Sequence, residues 1–170
     1  MNDSIGMNYC APDANVWAVN LDGRYMSAVQ NYLVADGIPT DGVTKIVSNA
    51  AQTLSYCPDP EGIGKCQKTG IVIGKVQSGK TSNFISITAL AFDNDYDIVI
   101  VLGGTKKPLV KQNRDRIKEY FSTTKDVLVL DTTDFKDQLT AQKMHQFRKM
   151  NKKVVIVALK SPTQINYIAD

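Results

Sequence analysis

Cysteine, histidine and long apolar runs are scarce in this chain, and each scarcity removes a class of protein. Its 170 residues include three cysteines, Cys10, Cys57 and Cys66, and one histidine, His145. No two cysteines form a C-x-x-C pair and His145 lies far from all three, so neither a zinc site nor a disulfide framework is expected. Cys57 and Cys66 could meet across the turn Pro58-Asp59-Pro60-Glu61-Gly62, but ordinary reduced thiols are the simpler reading. The longest aliphatic block, Ile98 to Leu102, is far too short to span a bilayer. The start, Met1-Asn2-Asp3-Ser4-Ile5-Gly6, has neither the positive residues nor the apolar run of a leader, so a cytoplasmic protein without a membrane partner is expected. There is no internal repeat and no low-complexity segment. No Asp-Glu or Asp-Asp pair occurs, and Asn151-Lys152-Lys153 meets Val154 where a guanine-reading Asn-Lys-x-Asp needs its acid, which argues against a GTPase. What remains is ordinary globular usage, 43% hydrophobic and 22% charged, in a chain long enough to bury a core.

Against that background, Gly74-Lys75-Val76-Gln77-Ser78-Gly79-Lys80-Thr81 fits the phosphate-binding pattern G-x-x-x-x-G-K-[ST] without a mismatch. Gly70-Ile71-Val72-Ile73 reads as a short buried strand entering the loop, and Thr81 to Phe92 as a helix leaving it. Such a loop needs Gly74 and Gly79 so that backbone N–H groups, from Lys75 through Ser82, can turn toward phosphate oxygens at the positive end of the helix. Lys80 would reach the β- and γ-phosphates as a point charge, and the Thr81 hydroxyl would coordinate the bridging Mg2+, which makes ATP with Mg2+ the expected cofactor pair and Lys80 and Thr81 the catalytic candidates. A Gly-Lys-Thr turn that only caps a helix is the bland alternative.

Elsewhere the periodicity marks out an organisation. Residues before Gly23 have no sustained period. Arg24 to Val34 and Asp41 to Tyr56 read as helices, punctuated by Gly37-Ile38-Pro39, with Val43, Ile46, Val47, Ala50 and Leu54 on one face of the second, a face expected to pack against the nucleotide domain. From residue 70 onward strands and helices alternate: Asp97 to Leu102, Lys106 to Phe121, Asp126 to Leu130, Phe135 to Met150, Lys153 to Leu159, and a helix after Ser161-Pro162. That alternation predicts an α/β fold with a mostly parallel sheet flanked by helices, residues 70–170, behind a helical extension over residues 1–69.

Charge is unevenly spread, with fourteen Lys or Arg against six Asp or Glu in residues 103–160, and four against seven in residues 1–69. Lys107, Lys111, Arg114 and Lys118 recur at helical steps and form one positive face, while Val110, Ile117 and Phe121 form an apolar stripe. Such a face can follow a nucleic-acid backbone; a solvated helix exterior is the alternative. His145 and the cations from Arg148 to Lys153 complement a helix C-terminus and receive no catalytic role. Asp131, after Val127-Leu128-Val129-Leu130, is the one candidate for a magnesium-directing acid, although its neighbour is Thr132 and an aspartate ending a strand is the simpler reading.

Val76-Gln77-Ser78-Gly79-Lys80-Thr81 with Asn83-Phe84, then Ala91, Asp93 and Tyr96, the strand Ile98 to Leu102, and Leu109, Gln112 and Arg116 together resemble the superfamily 2 helicase-like ATPase domain of bacterial restriction endonucleases and phage-defence proteins. The resemblance covers about residues 55–170 and implies a RecA-like P-loop lobe. It implies that the loop is helicase motif I and that Gly103 through Arg116 is motif Ia, where the first lobe meets DNA. Gln112 and Arg116 then join Lys107 and Lys111 as DNA-contacting residues. It also implies that the strand Val154 to Leu159 precedes an acidic Asp-Glu motif located after residue 170. The ending Asn166-Tyr167-Ile168-Ala169-Asp170 has no helix-stopping residue, so an amino-terminal piece is expected, lacking the acidic motif, the second lobe with its arginine finger, and an attached nuclease. Such a piece would bind ATP with little or no turnover. Two other readings stay open: a small kinase using Asp131, and a nucleotide-gated module docking on an acidic partner.

Overall fold

The computed structural model describes residues 16–62, 67–71, 80–131 and 141–169. They fall into two compact units, Met1–Asp95 and Tyr96–Asp170.

The first unit is built from α1 (Arg24–Ala35), α2 (Thr40–Ser55) and α3 (Lys80–Asp93). In α1 the buried positions Tyr25, Met26, Val29 and Leu33 recur at steps of three and four, and in α2 Val43, Val47, Ala50 and Leu54 do the same. Both stripes pack on α3, whose Ile85, Ala89, Leu90 and Phe92 are buried. The apolar face expected on α2 therefore packs on α3. The rings of Tyr25 and Phe92 meet edge to face with centroids 5.5 Å apart. Between α1 and α2 the chain reverses at Gly37, whose φ of +86° suits glycine, and Pro39 and Asp41 open α2.

Helix α1 has no side chain of its own to cap its start, because its N-cap residue is Gly23. Asp93, at the end of α3, supplies the acceptor instead: its carboxylate accepts from the N–H of Tyr25 at 3.1 Å and of Met26 at 2.7 Å. Glycine is required at position 23, since a Cβ there would stand 1.9 Å from Asp93 Cγ. Asn94 extends the join, donating from Nδ2 to the carbonyls of Asn20 at 3.0 Å and Leu90 at 2.7 Å.

The second unit is α/β. Strands β1 (Ile98–Leu102), β2 (Val127–Asp131) and β3 (Lys153–Ala158) form an open parallel sheet in the order β1-β3-β2. Ile100 stands beside Ile156, and Leu130 beside the same residue on the other side. The connection β1 to β2 runs one way across the sheet and β2 to β3 runs back, so right-handed crossovers put their helices on opposite faces. Accordingly α4 (Lys107–Tyr120) packs on β2 and β3 through a face burying Val110, Ile117 and Tyr120. On the other face α5 (Ala141–Lys149) sets Met144 and Phe147 against Leu128, Leu130, Val154, Ile156 and Ala158. Helix α6 (Pro162–Ala169) follows β3. Gly103, just past β1, lets α4 approach, since a Cβ there would stand 3.3 Å from Val157 Cγ1 and 3.4 Å from Val110 Cα.

The expected helices and strands appear within a residue or two at their described ends, and the opening of the fifth expected helix, residues 135–140, lies outside the described residues. One expectation is corrected. Gly70 and Ile71 lie in no strand and Ile71 is 82% exposed, there being no neighbour for them to pair with among the described residues, while residues 72 and 73 lie outside these. The sequence reading divides the chain at residue 70, whereas the compact units meet after Asp95, because α3 shares its buried surface with α1 and α2. Among the described residues no helix is long and apolar enough to cross a membrane.

The α1 join yields a prediction of non-additivity. Gly23→Ala should lower stability by about 1–3 kcal/mol through overpacking, and Asp93→Ala by about 1 kcal/mol through loss of the cap. In the double variant the added methyl meets no carboxylate, so urea titrations should show less total loss than the two single changes combined.

Candidate nucleotide and nucleic-acid sites

Of the phosphate-loop residues, Gly74, Lys75, Val76, Gln77, Ser78 and Gly79 lie outside the described residues. Lys80, Thr81 and Ser82 form the first turn of α3, with Lys80 exposed and the two hydroxyl residues half-buried. The first N–H groups of a helix have no acceptor within it, and they carry the positive end of its dipole. No acidic side chain occupies this turn to compete for them. An ammonium, two hydroxyls and a helix start suit phosphate oxygens, and the Thr81 hydroxyl is an oxygen ligand of the kind Mg2+ takes. Among the described residues no group of three His, Cys, Asp or Glu could hold a metal.

One turn further along α3, Asn83 Oδ1 and Ser86 Oγ are buried without a hydrogen-bond partner among the described residues. Their spacing of three places them on one side of the helix. Thr88, by contrast, donates its hydroxyl to the Phe84 carbonyl at 2.9 Å.

The structure redraws the basic face of α4. Lys107, Lys111 and Lys118 are exposed, as expected. Arg114 is not available with them: its guanidinium is paired with the Asp131 carboxylate and with Asp115 at 2.9 Å. Asp131 is only 5% exposed, so this is an ion pair largely withdrawn from water. The hydrogen bond that Arg114 donates to Asp115, together with the charges of Asp131 and Asp115, raises the Arg114 pKa above its ordinary value and keeps it charged. At about 100° per residue, Arg114 stands at the border of the buried arc formed by Val110, Ile117 and Tyr120, which is why it turns inward while Lys107, Lys111 and Lys118 do not. Gln112 and Arg116 are exposed but sit roughly a quarter-turn or more from Lys111, so the four nominated contacts occupy two neighbouring strips of α4. Asn113, which sequence reasoning passed over, donates to the Gly103 carbonyl at 3.0 Å and fixes the turn between β1 and α4.

His145 is exposed and lines an open hollow of about 280 Å3 with Asp97, Ile98, Met144, Arg148, Lys152 and Val154. Cys57 is a free thiol whose pKa burial raises, against the opposing charge of Lys68. Cys10 and Cys66 lie outside the described residues.

The Arg114–Asp131 pair makes an asymmetric prediction. Arg114→Leu strands a buried carboxylate and should cost about 3 kcal/mol. Asp131→Ala leaves Arg114 with Asp115 and some solvent, and should cost less.

No family model, curated protein or solved structure matches the chain.

Proposed function

We propose that this chain is the ATP-binding first lobe of a helicase-like, DNA-directed ATPase that works in restriction or phage defence. The observation that carries the reading is that α3 opens at Lys80, the lysine of G-x-x-x-x-G-K-T, so the residues the motif assigns to phosphate and Mg2+ form the first turn of a 14-residue helix. A parallel α/β sheet in the same chain is compatible with a RecA-like lobe. In this reading Lys80 neutralises the β- and γ-phosphates and Thr81 holds Mg2+, whose charge eases transfer of the terminal phosphoryl group. Thr81 and Ser82 add donors at the helix start. In this reading the chain by itself binds nucleotide with little turnover. The exposed Lys107 and Lys111, flanked by Gln112 and Arg116, contact DNA phosphates of any sequence. The kinase alternative loses support, because the carboxylate it would use, Asp131, is buried and engaged by Arg114.

Thermal unfolding tests the nucleotide half. At a hundredfold excess over Kd, MgATP should raise the midpoint by about 5–10 °C. Lys80→Ala should lose that shift while keeping the unliganded midpoint; an equal shift in both proteins would remove the loop from the site. The DNA half is tested by Lys107→Glu with Lys111→Glu, which should weaken binding to unrelated duplexes alike. The slope of log K against log salt should flatten by about two, and an unchanged slope would place DNA elsewhere.

A further inference from the structure

The sheet-facing side of α4 is polar at its middle turn. Val110 and Ile117, both buried, lie nearly one above the other along the helix. In the turn between them stand Asn113 and Arg114, each about 50° to one side of that line. The two side chains reach different strands. Asn113 Nδ2 donates to the Gly103 carbonyl, just past β1, at 3.0 Å, and the Arg114 guanidinium donates to the Asp131 carboxylate at the end of β2. β3 lies between those strands, so the anchor points are two strand spacings apart, about 9–10 Å. α4 is thus tied on both flanks at the same height.

The two bonds contribute orientation more than stability. Apolar contact is non-directional, and Val110, Ile117 and Tyr120 hold α4 on the sheet while constraining its roll only loosely. Hydrogen bonds are directional, and a buried ion pair adds little stability over apolar residues of similar volume. Asp115, on α4 itself, accepts from Arg114 Nε at 3.0 Å and Nη2 at 2.9 Å, which aims the guanidinium without joining the helix to the sheet. Lys107 and Lys111, both exposed, stand about 20° and 60° beyond Arg114 on the same flank. The lysines share one rigid helix with the anchors, so whatever fixes the roll of Asn113 and Arg114 fixes the direction of the ammonium groups. A binding surface needs its groups held within about 10–20°. We propose that Asn113 and Arg114 are positioning residues for the phosphate-contacting face of α4: by tying the helix to the ends of β1 and β2 they hold Lys107 and Lys111 at a set angle to a nucleic-acid backbone. This rests on the DNA reading given above.

The test uses the full 170-residue chain and the double variant Arg114→Met with Asp131→Leu, which replaces the ion pair by apolar side chains. Its thermal midpoint should be unchanged or higher, while its affinity for a short duplex of unrelated sequence should fall about tenfold. The slope of log K against log salt should stay as in the wild type, because the lysines still make the contacts. Asn113→Ala removes the other tie with the ion pair intact and should weaken DNA in the same direction. Residual dipolar couplings of the α4 amides, whose periodic variation reports the roll of a helix, supply a readout without DNA, and in the double variant that variation should shift or shrink relative to β3. Unchanged couplings, or unchanged affinity at an unchanged midpoint, would overturn the proposal. So would a slope lowered by about one, since Arg114 would then be a phosphate contact itself. If the wild-type chain binds no duplex, it is the DNA reading that fails, and the couplings still report the tie.

Discussion

Strand β3 is the element on which the second unit depends. Val154 to Ala158 is buried on every residue, and a strand between two parallel neighbours can hide both faces only if each is covered by a helix. That requirement sets α4 and α5 on opposite sides and brings the border of α4 over the end of β2, where Arg114 reaches Asp131.

The first unit obeys a different rule. Three amphipathic helices share one buried surface, and α3 belongs to it along most of its length. Its first turn nonetheless faces the task the motif sets for Lys80 and Thr81. One helix thus has a packing role through Ile85, Ala89 and Leu90, and in the proposed reading a binding role at its start. Anchoring the far end by Asp93 and Asn94 gives the near end a fixed base.

Much of the fold was legible because local period and burial coincide. The steps of Val43, Val47, Ala50 and Leu54, or the aliphatic run of β3, state their own structure. The strand order β1-β3-β2 was not legible, since nothing in an aliphatic run names its neighbour. Nor was the fate of Arg114. Its spacing put it with Lys107, Lys111 and Lys118, and only the register of β2 against α4 shows it facing a carboxylate seventeen residues on. Asp93 was read as part of a sequence resemblance, and its bond to Met26, 67 residues earlier, leaves no trace in any local pattern. Of the candidate sites, the loop was visible as a motif, and its described part, Lys80 to Ser82, lies in a helix as the periodicity indicated for Thr81 onward.

The cap on α1 also orders events in time. A helix that carries its own N-cap can hold its first turn as soon as it is made, but α1 begins with glycine and borrows its acceptor from Asp93. Isolated helices of this length are marginal in water. During synthesis the first turn of α1 must therefore wait for α3 to emerge, some seventy residues later at about 5–20 residues per second. Helix α1 is completed by the last turn of α3, so the amides of its first turn become protected only when α3 is in place.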